Sequence, residues 1–240
     1  MGGLRAEGLT VKRGDLTICR DVELVVPEGE ITVLLGANGA GKTTLLDGIA
    51  GVLPATSGSI VMGDRRVDTM PVHRRASRGL AYIEQGRSVF AQLTVAQNLA
   101  VVDRSREALA RAFGLFPRLA DRENVRAGLL SGGEQQMLII ARALATGPRV
   151  LLVDELSLGL APRVVRTLME TLTGLAESGM GILLVEQFAE MALRAGTTAH
   201  IMHRGQIVRS EQCKVLLKDR ASLISPYYLG AELHDEGSLS

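Results

Sequence analysis

Short apolar runs that end at glycine or acidic residues recur along the chain, and each is typical of a strand buried on both faces of a sheet. Three such runs occupy residues 30–35, 150–153 and 181–185. Apolar residues at helical spacing follow the first run at 42–50 and separate the other two at 162–178. Because strands that alternate with helices pair in parallel, this pattern predicts an α/β fold with a parallel sheet.

Shorter alternating segments predict antiparallel pairing elsewhere. Residues 4–29 and 58–67 alternate apolar and polar positions between turn residues, which favours a small antiparallel β patch against the main sheet. Residues 199–208 form two short runs about Arg204-Gly205, which indicates a hairpin at the sheet edge.

The middle of the chain has the pattern of helices. Thr94 with Gln97, and Ser131 with Glu134, have the spacing of capping boxes, in which two side chains close the start of a helix. Residues 104–116 continue at helical spacing up to a proline, and the second box opens a helix that ends near residue 145.

These patterns predict how the chain divides. We expect one domain over residues 1–240, with a core formed by 1–85 and 147–220 and an α-helical subdomain inserted at 86–146. Residues 221–240 are a C-terminal tail to which the pattern assigns no structure.

Composition and charge narrow the function classes. The chain has 240 residues, of which 46% are hydrophobic, and this excludes a disordered chain. Its 27 Lys and Arg against 26 Asp and Glu give a net charge of +1, so we expect no nucleic-acid partner. Cys19 and Cys213 lie far apart, which favours two incidental thiols in a cytosolic protein. No apolar run approaches the ~20 residues of a membrane span, and we expect no signal peptide. If the protein functions at a membrane, we expect it to do so from the cytoplasmic surface, through partner proteins.

A glycine-rich segment after the first strand carries the first candidate chemistry. Residues 36–43 (GANGAGKT) match the phosphate-loop pattern G-x-x-x-x-G-K-[ST]. Glycines let backbone N–H groups form an anion nest, Lys42 supplies a charge for the β and γ phosphates, and Thr43 offers a hydroxyl to Mg²⁺. The alternative is a turn with a chance Lys-Thr, but the strand before it and the helix after it favour nucleotide binding. The candidate nucleotide-binding residues here are Gly36, Ala37, Asn38, Gly39, Ala40, Gly41, Lys42, Thr43 and Thr44.

Two acidic residues follow the run at 150–153. Asp154 and Glu155 stand at the carboxyl end of a predicted strand, where open α/β sheets bind ligands. Asp154 is placed to hold Mg²⁺, and Glu155, which the pleat points the other way, to orient or deprotonate an attacking water. The alternative is a strand that leaves the core at a polar pair, and the preceding phosphate loop favours the catalytic interpretation.

A second candidate anion site begins the helix after residue 130. Residues 130–136 read LSGGEQQ, so Ser131 caps a helix whose N-terminus is flanked by Gly132 and Gly133, with Glu134 next. A phosphate-loop kinase or GTPase has no use for such a site, whereas a protein that sandwiches ATP between two subunits has.

Together with Gln85 in YIEQ, these segments occur in an order and spacing that resembles the ATP-binding subunit of ABC transporters over nearly the whole chain. The resemblance implies a P-loop NTPase (RecA-like) core, ATP and Mg²⁺ as cofactors, and ATP hydrolysis coupled to transport. It implies catalytic roles for Lys42, Glu155 and Gln187, magnesium ligation by Thr43, Gln85 and Asp154, and contact of Ser131, Gly132, Gly133 and Glu134 with ATP on a partner.

Finer features are similar to one branch, the LivF-type subunit of branched-chain amino acid importers. These features are 84–87 (EQGR), 115–119 (LFPRL), 157–162 (SLGLAP) and 185–187 (VEQ). ATPases of urea and short-chain amide importers have a closely similar pattern. Because other subunits choose the solute, the sequence leaves these substrates open.

Two positions depart from the general ABC pattern. Gln187 stands where a switch histidine that contacts the γ-phosphate is usual, and a neutral amide can donate a hydrogen bond but carries no charge. Arg13 stands near the place of an aromatic residue that stacks on adenine. A guanidinium plane can stack on a base, but Arg13 is equally interpretable as a solvated loop charge.

The resemblance also implies partners and location. We expect a sister ATPase subunit in a hetero- or homodimer, transmembrane permease subunits, and indirectly a solute-binding protein, at the cytoplasmic face of the membrane. The rival hypothesis is a regulatory half that binds ATP with weak or no hydrolysis, which Gln187 and Arg13 favour and Glu155 opposes. A soluble ABC ATPase of repair or translation is disfavoured, since the chain has one cassette and no coiled-coil insertion.

Two other polar groups receive no functional role. His200 and His203 lie on the predicted hairpin without cysteine or carboxylate neighbours in the sequence, which disfavours a metal site. The basic run at 73–75 (HRR) is typical of a solvated helix face.

Overall fold

The computed structural model describes residues 2–86, 89–186 and 189–218. In chain order the strands are β1 (Gly3–Arg13), β2 (Leu16–Pro27), β3 (Ile31–Leu35), β4 (Ala55–Met62), β5 (Arg65–Arg66), β6 (Leu80–Ile83), β7 (Val150–Asp154), β8 (Gly181–Val185), β9 (Thr198–His203) and β10 (Gln206–Gln212). The helices are α1 (Lys42–Ala50), α2 (Val72–Ala76), α3 (Val95–Ala100), α4 (Arg106–Leu115), α5 (Pro117–Ala120), α6 (Gly132–Ala145), α7 (Pro162–Glu177), α8 (Ala189–Ala195) and α9 (Cys213–Lys218).

The central sheet has the strand order β10-β9-β3-β8-β7-β6. Every pair in it is parallel except β9 with β10, which is the predicted hairpin at the edge. All residues of β3, β7 and β8 are buried. Alternate residues of these strands belong to two separate hydrophobic clusters, one on each face of the sheet, and this explains why the strands are continuous apolar runs.

The second sheet is antiparallel, with the order β2-β1-β4-β5. Its inward-facing side chains share one hydrophobic cluster with Leu45, Leu46 and Ile49 of α1 and with the central sheet, so α1 packs between the two sheets. The predicted antiparallel patch is therefore confirmed. Its role in the fold is to cover α1, the helix that begins at the glycine-rich loop.

Helices α3 to α6 lie between β6 and β7 in the chain, and α3 and α6 begin at the two predicted capping boxes. The Thr94 hydroxyl accepts from the N–H of Gln97 at 3.2 Å, and the Gln97 side chain accepts from the N–H of Thr94 at 2.9 Å. The Ser131 and Glu134 box is also closed in both directions, at 3.3 and 2.8 Å. Within the described ranges, none of the helices has the length and apolar composition of a bilayer span.

The prediction of a solvated face at residues 73–75 is wrong for Arg75, whose side chain is 2% exposed. Its guanidinium donates to the carbonyl oxygens of Gly48 and Ile49 at 2.8 and 2.6 Å, and to those of Asp68 and Met70 at 2.7 and 2.8 Å. The last carbonyl oxygens of a helix lack hydrogen-bond donors within the helix. Arg75 supplies a donor to two of these oxygens at the end of α1. We call this arrangement the Arg75 clasp.

Candidate functional site

The glycine-rich loop at 36–43 joins β3 to α1. Gly41, at the N-cap of α1, has φ +106°, a conformation that L side chains rarely adopt. At Gly36 a Cβ would lie 2.4 Å from the carbonyl oxygen of Met202 on β9, so only glycine fits against that strand. The pattern of glycines is thus required by the backbone, and the loop is held against the sheet at the N-terminus of α1.

Lys42 is buried within this loop. Its ammonium donates to the carbonyl oxygens of Gly36 and Ala37 at 2.8 and 3.1 Å. Burial lowers the pKa of Lys42, while the nearby carboxylates of Glu155 and Asp154 raise it. The charge is therefore fixed inside the loop, close to two acidic residues and next to backbone N–H groups suited to an anion.

Asp154 ends β7 beside the first turn of α1. The Thr43 hydroxyl donates to Asp154 Oδ2 at 2.7 Å. Burial raises the pKa of Asp154, and the Thr43 hydrogen bond opposes this. Its other oxygen, Oδ1, is buried and has no hydrogen-bond partner among the described residues. A buried carboxylate oxygen without a donor, beside a hydroxyl, suits a hard cation such as Mg²⁺, which prefers oxygen ligands.

Glu155 does not continue the strand pleat, contrary to the sequence-based expectation. It has φ +48°, in the left-handed region, so the turn and not strand alternation sets where its side chain points. Its carboxylate accepts from the amide nitrogen of Gln85 at 2.6 Å. Gln85 follows β6, the strand next to β7, and this places the two side chains at the same edge of the sheet.

One cleft of about 530 Å³ is shared by Lys42, Thr43, Gln85 and Glu155. Its lining comprises Ile18, Asn38, Gly39, Gly41, Lys42, Thr43, Thr44, Gln85, Glu155 and Leu158. The structure thus brings Gln85 and Glu155 to the glycine-rich loop from distant points of the chain. Sequence reasoning missed Ile18 and Leu158, because an apolar residue on a strand or in a loop carries no local signal that it will face a cleft.

Arg13 is paired and does not project freely into solvent. Its guanidinium lies 2.9 Å from Asp47 Oδ2 on α1, with 59% of the side chain exposed. The other oxygen of Asp47 accepts from the Tyr82 hydroxyl at 3.2 Å. Sequence reasoning missed the Arg13–Asp47 pair and the Tyr82–Asp47 hydrogen bond, because the three residues lie on different elements.

The segment at 131–134 is set apart from this cleft. Ser131 is exposed at the start of α6, and none of the four residues belongs to the described lining of the cleft. At Gly133 a Cβ would lie 2.8 Å from Val164 Cγ1 on α7, so glycine permits close packing there. Glu134 closes the capping box, and its Oε1 lies 3.6 Å from Arg122 Nε.

The remaining sequence-based predictions concern Gln187, the C-terminal tail and the histidines of β9. Gln187 and the tail at 221–240 lie outside the described residues. The Nδ1 atom of His200 lies 2.7 Å from the Ser210 hydroxyl. Over the described part of the chain, no group of three His, Cys, Asp or Glu side chains is arranged to hold a metal ion. Glu186, to which sequence reasoning gave no role beyond its place in the motif at 185–187, is fully buried directly after β8.

Comparisons with known proteins agree with this geometry. Residues 19–157 match the family model described as ABC transporter. The chain is 40% identical over 210 residues to the high-affinity branched-chain amino acid transport ATP-binding protein BraG of Pseudomonas aeruginosa, covering 85% of this chain and 90% of that protein. It is 33% identical over 241 residues to the lipopolysaccharide export system ATP-binding protein LptB of Escherichia coli, covering 97% of this chain and 99% of that protein.

A solved nucleotide-free ATP-binding cassette from an ABC transporter superposes with a TM-score of 0.83 at 24% identity, covering 91% of this chain and 96% of that one. This likeness confirms the predicted fold class. ATP-binding subunits of this family hydrolyse ATP, dimerise and work with transmembrane permease partners. The chain belongs to the ABC transporter family, as an ATP-binding subunit.

Proposed function

We propose that this subunit energises uptake of branched-chain amino acids or a similar small polar solute. The observation that carries the proposal is the 40% identity to BraG over 90% of that protein. The likeness to LptB extends over more of the chain but at 33% identity, which supports an export system less strongly. The short motifs at 84–87, 157–162 and 185–187 also favour the importer branch.

The proposed mechanism assigns phosphate binding to the glycine-rich loop. Lys42 and the loop N–H groups hold the β and γ phosphates of ATP, because they concentrate positive charge at the N-terminus of α1. Thr43, Gln85 and Asp154 are the residues that would hold Mg²⁺, which when bound neutralises charge on the phosphate oxygens. The unpartnered Oδ1 of Asp154 supports this ligand set.

Glu155 is the proposed general base. Its carboxylate lines the cleft with Lys42 and Thr43, where it can orient a water toward the γ-phosphate and accept its proton. Gln85 donates to this carboxylate, so release of that bond frees Glu155 to act. Gln187 is proposed to donate one hydrogen bond to the γ-phosphate, and Arg13, oriented by Asp47, to stack on adenine.

A second subunit completes the proposed site. Ser131 is exposed, and none of residues 131–134 belongs to the described lining of the cleft of their own chain, which supports contact with ATP bound by a sister ATPase. We further propose that the dimer, homo- or heteromeric, binds a permease at the cytoplasmic face of the membrane and receives solute through a solute-binding protein. Nucleic acid has no role in this scheme.

Transport by the assembled complex tests the proposal. The chain is reconstituted in proteoliposomes with its permease, sister ATPase and solute-binding protein. ATP-dependent uptake of labelled leucine, isoleucine and valine is compared with uptake of urea and acetamide, and with a complex that carries Glu155→Gln. Uptake of the branched-chain amino acids that Glu155→Gln abolishes is the expected result. Uptake of urea or acetamide alone would contradict the proposed solute class, and undiminished hydrolysis with Glu155→Gln would favour the regulatory half.

A further inference from the structure

A buried carboxylate that no proposed catalytic step uses lies next to the cleft. Glu186 is 0% exposed, directly after β8. It accepts from the N–H of Ser157 at 3.1 Å and from the Ser157 hydroxyl. Ser157 is itself buried, two residues after Glu155. Since a buried carboxylate is costly unless hydrogen-bonded, these bonds fix the relative position of the two segments.

The segment that Ser157 anchors contains the most unusual backbone of the site. Glu155 has φ +48°, which is unfavourable for a residue with a side chain and persists only where the surroundings impose it. Its N–H donates to the carbonyl oxygen of Val185 at 3.0 Å, and Leu156 is buried in the core. Residues 155–157 are therefore attached to 185–186 at consecutive points, of which the Ser157–Glu186 pair is the last.

This attachment determines where the Glu155 carboxylate lies. The carboxylate reaches the cleft and Gln85 because the turn at 155–157 directs it there. Glu186 is buried and does not belong to the described lining of the cleft, so it acts through Ser157 and not on the nucleotide. In general, misplacing a reacting group by about 1 Å costs roughly 10²-fold in rate.

We propose that Glu186 is a positioning residue for ATP hydrolysis, which through its hydrogen bonds to Ser157 holds Glu155 in the conformation required of the general base. The inference rests on the proposed role of Glu155. It assigns a function to a side-chain pair that lies behind the site. It also gives a reason for an acid at the end of β8, where an apolar residue would pack without the cost of burying a charge.

The test uses the assembled complex at saturating ATP, with Glu186→Gln, Ser157→Ala and the double variant. We expect kcat to fall roughly 10- to 100-fold in each single variant while the affinity for ATP changes less than about 2-fold. The double variant is no slower than either single one, because both remove the same pair. Ser157→Thr keeps the hydroxyl and restores most of the rate. Glu190→Gln, an exposed carboxylate on α8, is the matched control.

Combination with Glu155→Gln separates positioning from a general loss of structure. If Glu186 acts through Glu155, then Ser157→Ala lowers kcat no further in the Glu155→Gln background. An equal further loss there, or a kcat that Ser157→Ala leaves unchanged, overturns the inference. Should Glu186→Gln fail to fold, Ser157→Ala carries the test, since it leaves the end of β8 intact. Undiminished hydrolysis in Glu155→Gln itself overturns the proposed base and this inference together, whereas a loss in Glu155→Gln with full rate in Ser157→Ala overturns this inference alone.

Discussion

The two ends of helix α1 differ in whether the protein itself supplies their hydrogen-bond partners. At its N-terminus no side chain among the described residues caps the helix, and the first turn carries no acidic residue, so the N–H groups stay available to an anion. At its C-terminus the carbonyl oxygens of Gly48 and Ile49 accept from Arg75, and that of Asp47 accepts from backbone N–H groups. One end is open for a ligand and the other is closed by the protein.

The difference teaches which parts of a site determine binding and which determine stability. The helix dipole favours anions at the open end and cations at the closed end, so the glycine-rich loop and the Arg75 clasp use the same physical property. The hydrogen bonds of the Arg75 clasp form without nucleotide, so we expect them to stabilise the folded chain. The loop, whose partner is the nucleotide, should contribute mainly to affinity.

The largest effect is expected from Arg75→Ala. Four carbonyl oxygens lose the donor that Arg75 supplies, and two of them belong to α1, so we expect the free energy of unfolding to fall by about 3–5 kcal/mol. Urea denaturation of the nucleotide-free chain measures it. Arg74→Ala is the matched control, since Arg74 is exposed on the same helix, and should change stability by less than about 0.5 kcal/mol. Similar small effects in both variants would show that the Arg75 clasp is dispensable.

Lys42→Ala should show the converse pattern. The variant loses charge-assisted hydrogen bonds to phosphate, and we expect the affinity for ATP to fall roughly 10- to 100-fold. The urea midpoint should stay unchanged or rise, because a buried charge whose pKa burial lowers is removed. Isothermal titration with Mg·ATP measures the affinity, and Lys12→Ala, an exposed lysine on β1, serves as the control. A large loss of stability with unchanged affinity would reverse the roles assigned to the two ends.

A pair of glycines tests the closed end at finer resolution. Gly51 ends α1 with φ +83°, and a Cβ there would lie 2.7 Å from Arg75 Nε. Gly147 ends α6 with φ +63° and has open space around it. We expect Gly147→Ala to cost about 1 kcal/mol from backbone strain alone, and Gly51→Ala about 2 kcal/mol because it also displaces the guanidinium. Equal urea midpoints for the two variants would mean that Arg75 moves aside freely.

The contrast between the two ends also explains what the sequence predicts well. The glycine-rich loop and both capping boxes are formed by residues within eight positions of one another, so their spacing alone specifies the contacts. Continuous apolar runs likewise identify the strands of the central sheet, since both of its faces are covered. The fold class was therefore predictable.

The long-range contacts were not predictable in the same way. Arg75 reaches α1 from 26 positions away and looks like its exposed neighbour Arg74 in the sequence. The pairing of Arg13 with Asp47, and of Ser157 with Glu186, also depends on how separate elements pack. The left-handed conformation of Glu155 has no sequence signal, because the residue is not a glycine.

The smallest effect concerns Asp154, the acid beside the open end of α1. Burial raises the pKa of its carboxyl above the unfolded value, so its contribution to stability is present below an unfolded pKa of about 3.9 and is lost as the pH rises through the folded pKa. At pH 7 the wild type therefore carries the cost of a buried charge, which the neutral, similarly shaped Asp154→Asn avoids. We expect a higher urea midpoint for Asp154→Asn at pH 7 and convergence with wild type as the pH approaches 4. Asp15→Asn, at an exposed position, should leave the midpoint unchanged at both pH values.

Hydrolysis by the same Asp154→Asn variant should be lost, since we propose that this carboxylate holds Mg²⁺. A more stable but inactive protein is the expected result for a charge kept at the open end for its ligand. If Asp154→Asn instead destabilises the chain at pH 7, the hydrogen bond from Thr43 to the ionised carboxylate outweighs the cost of burial. The open end of α1 would then contribute to stability without nucleotide, and the contrast with the Arg75 clasp would be one of degree.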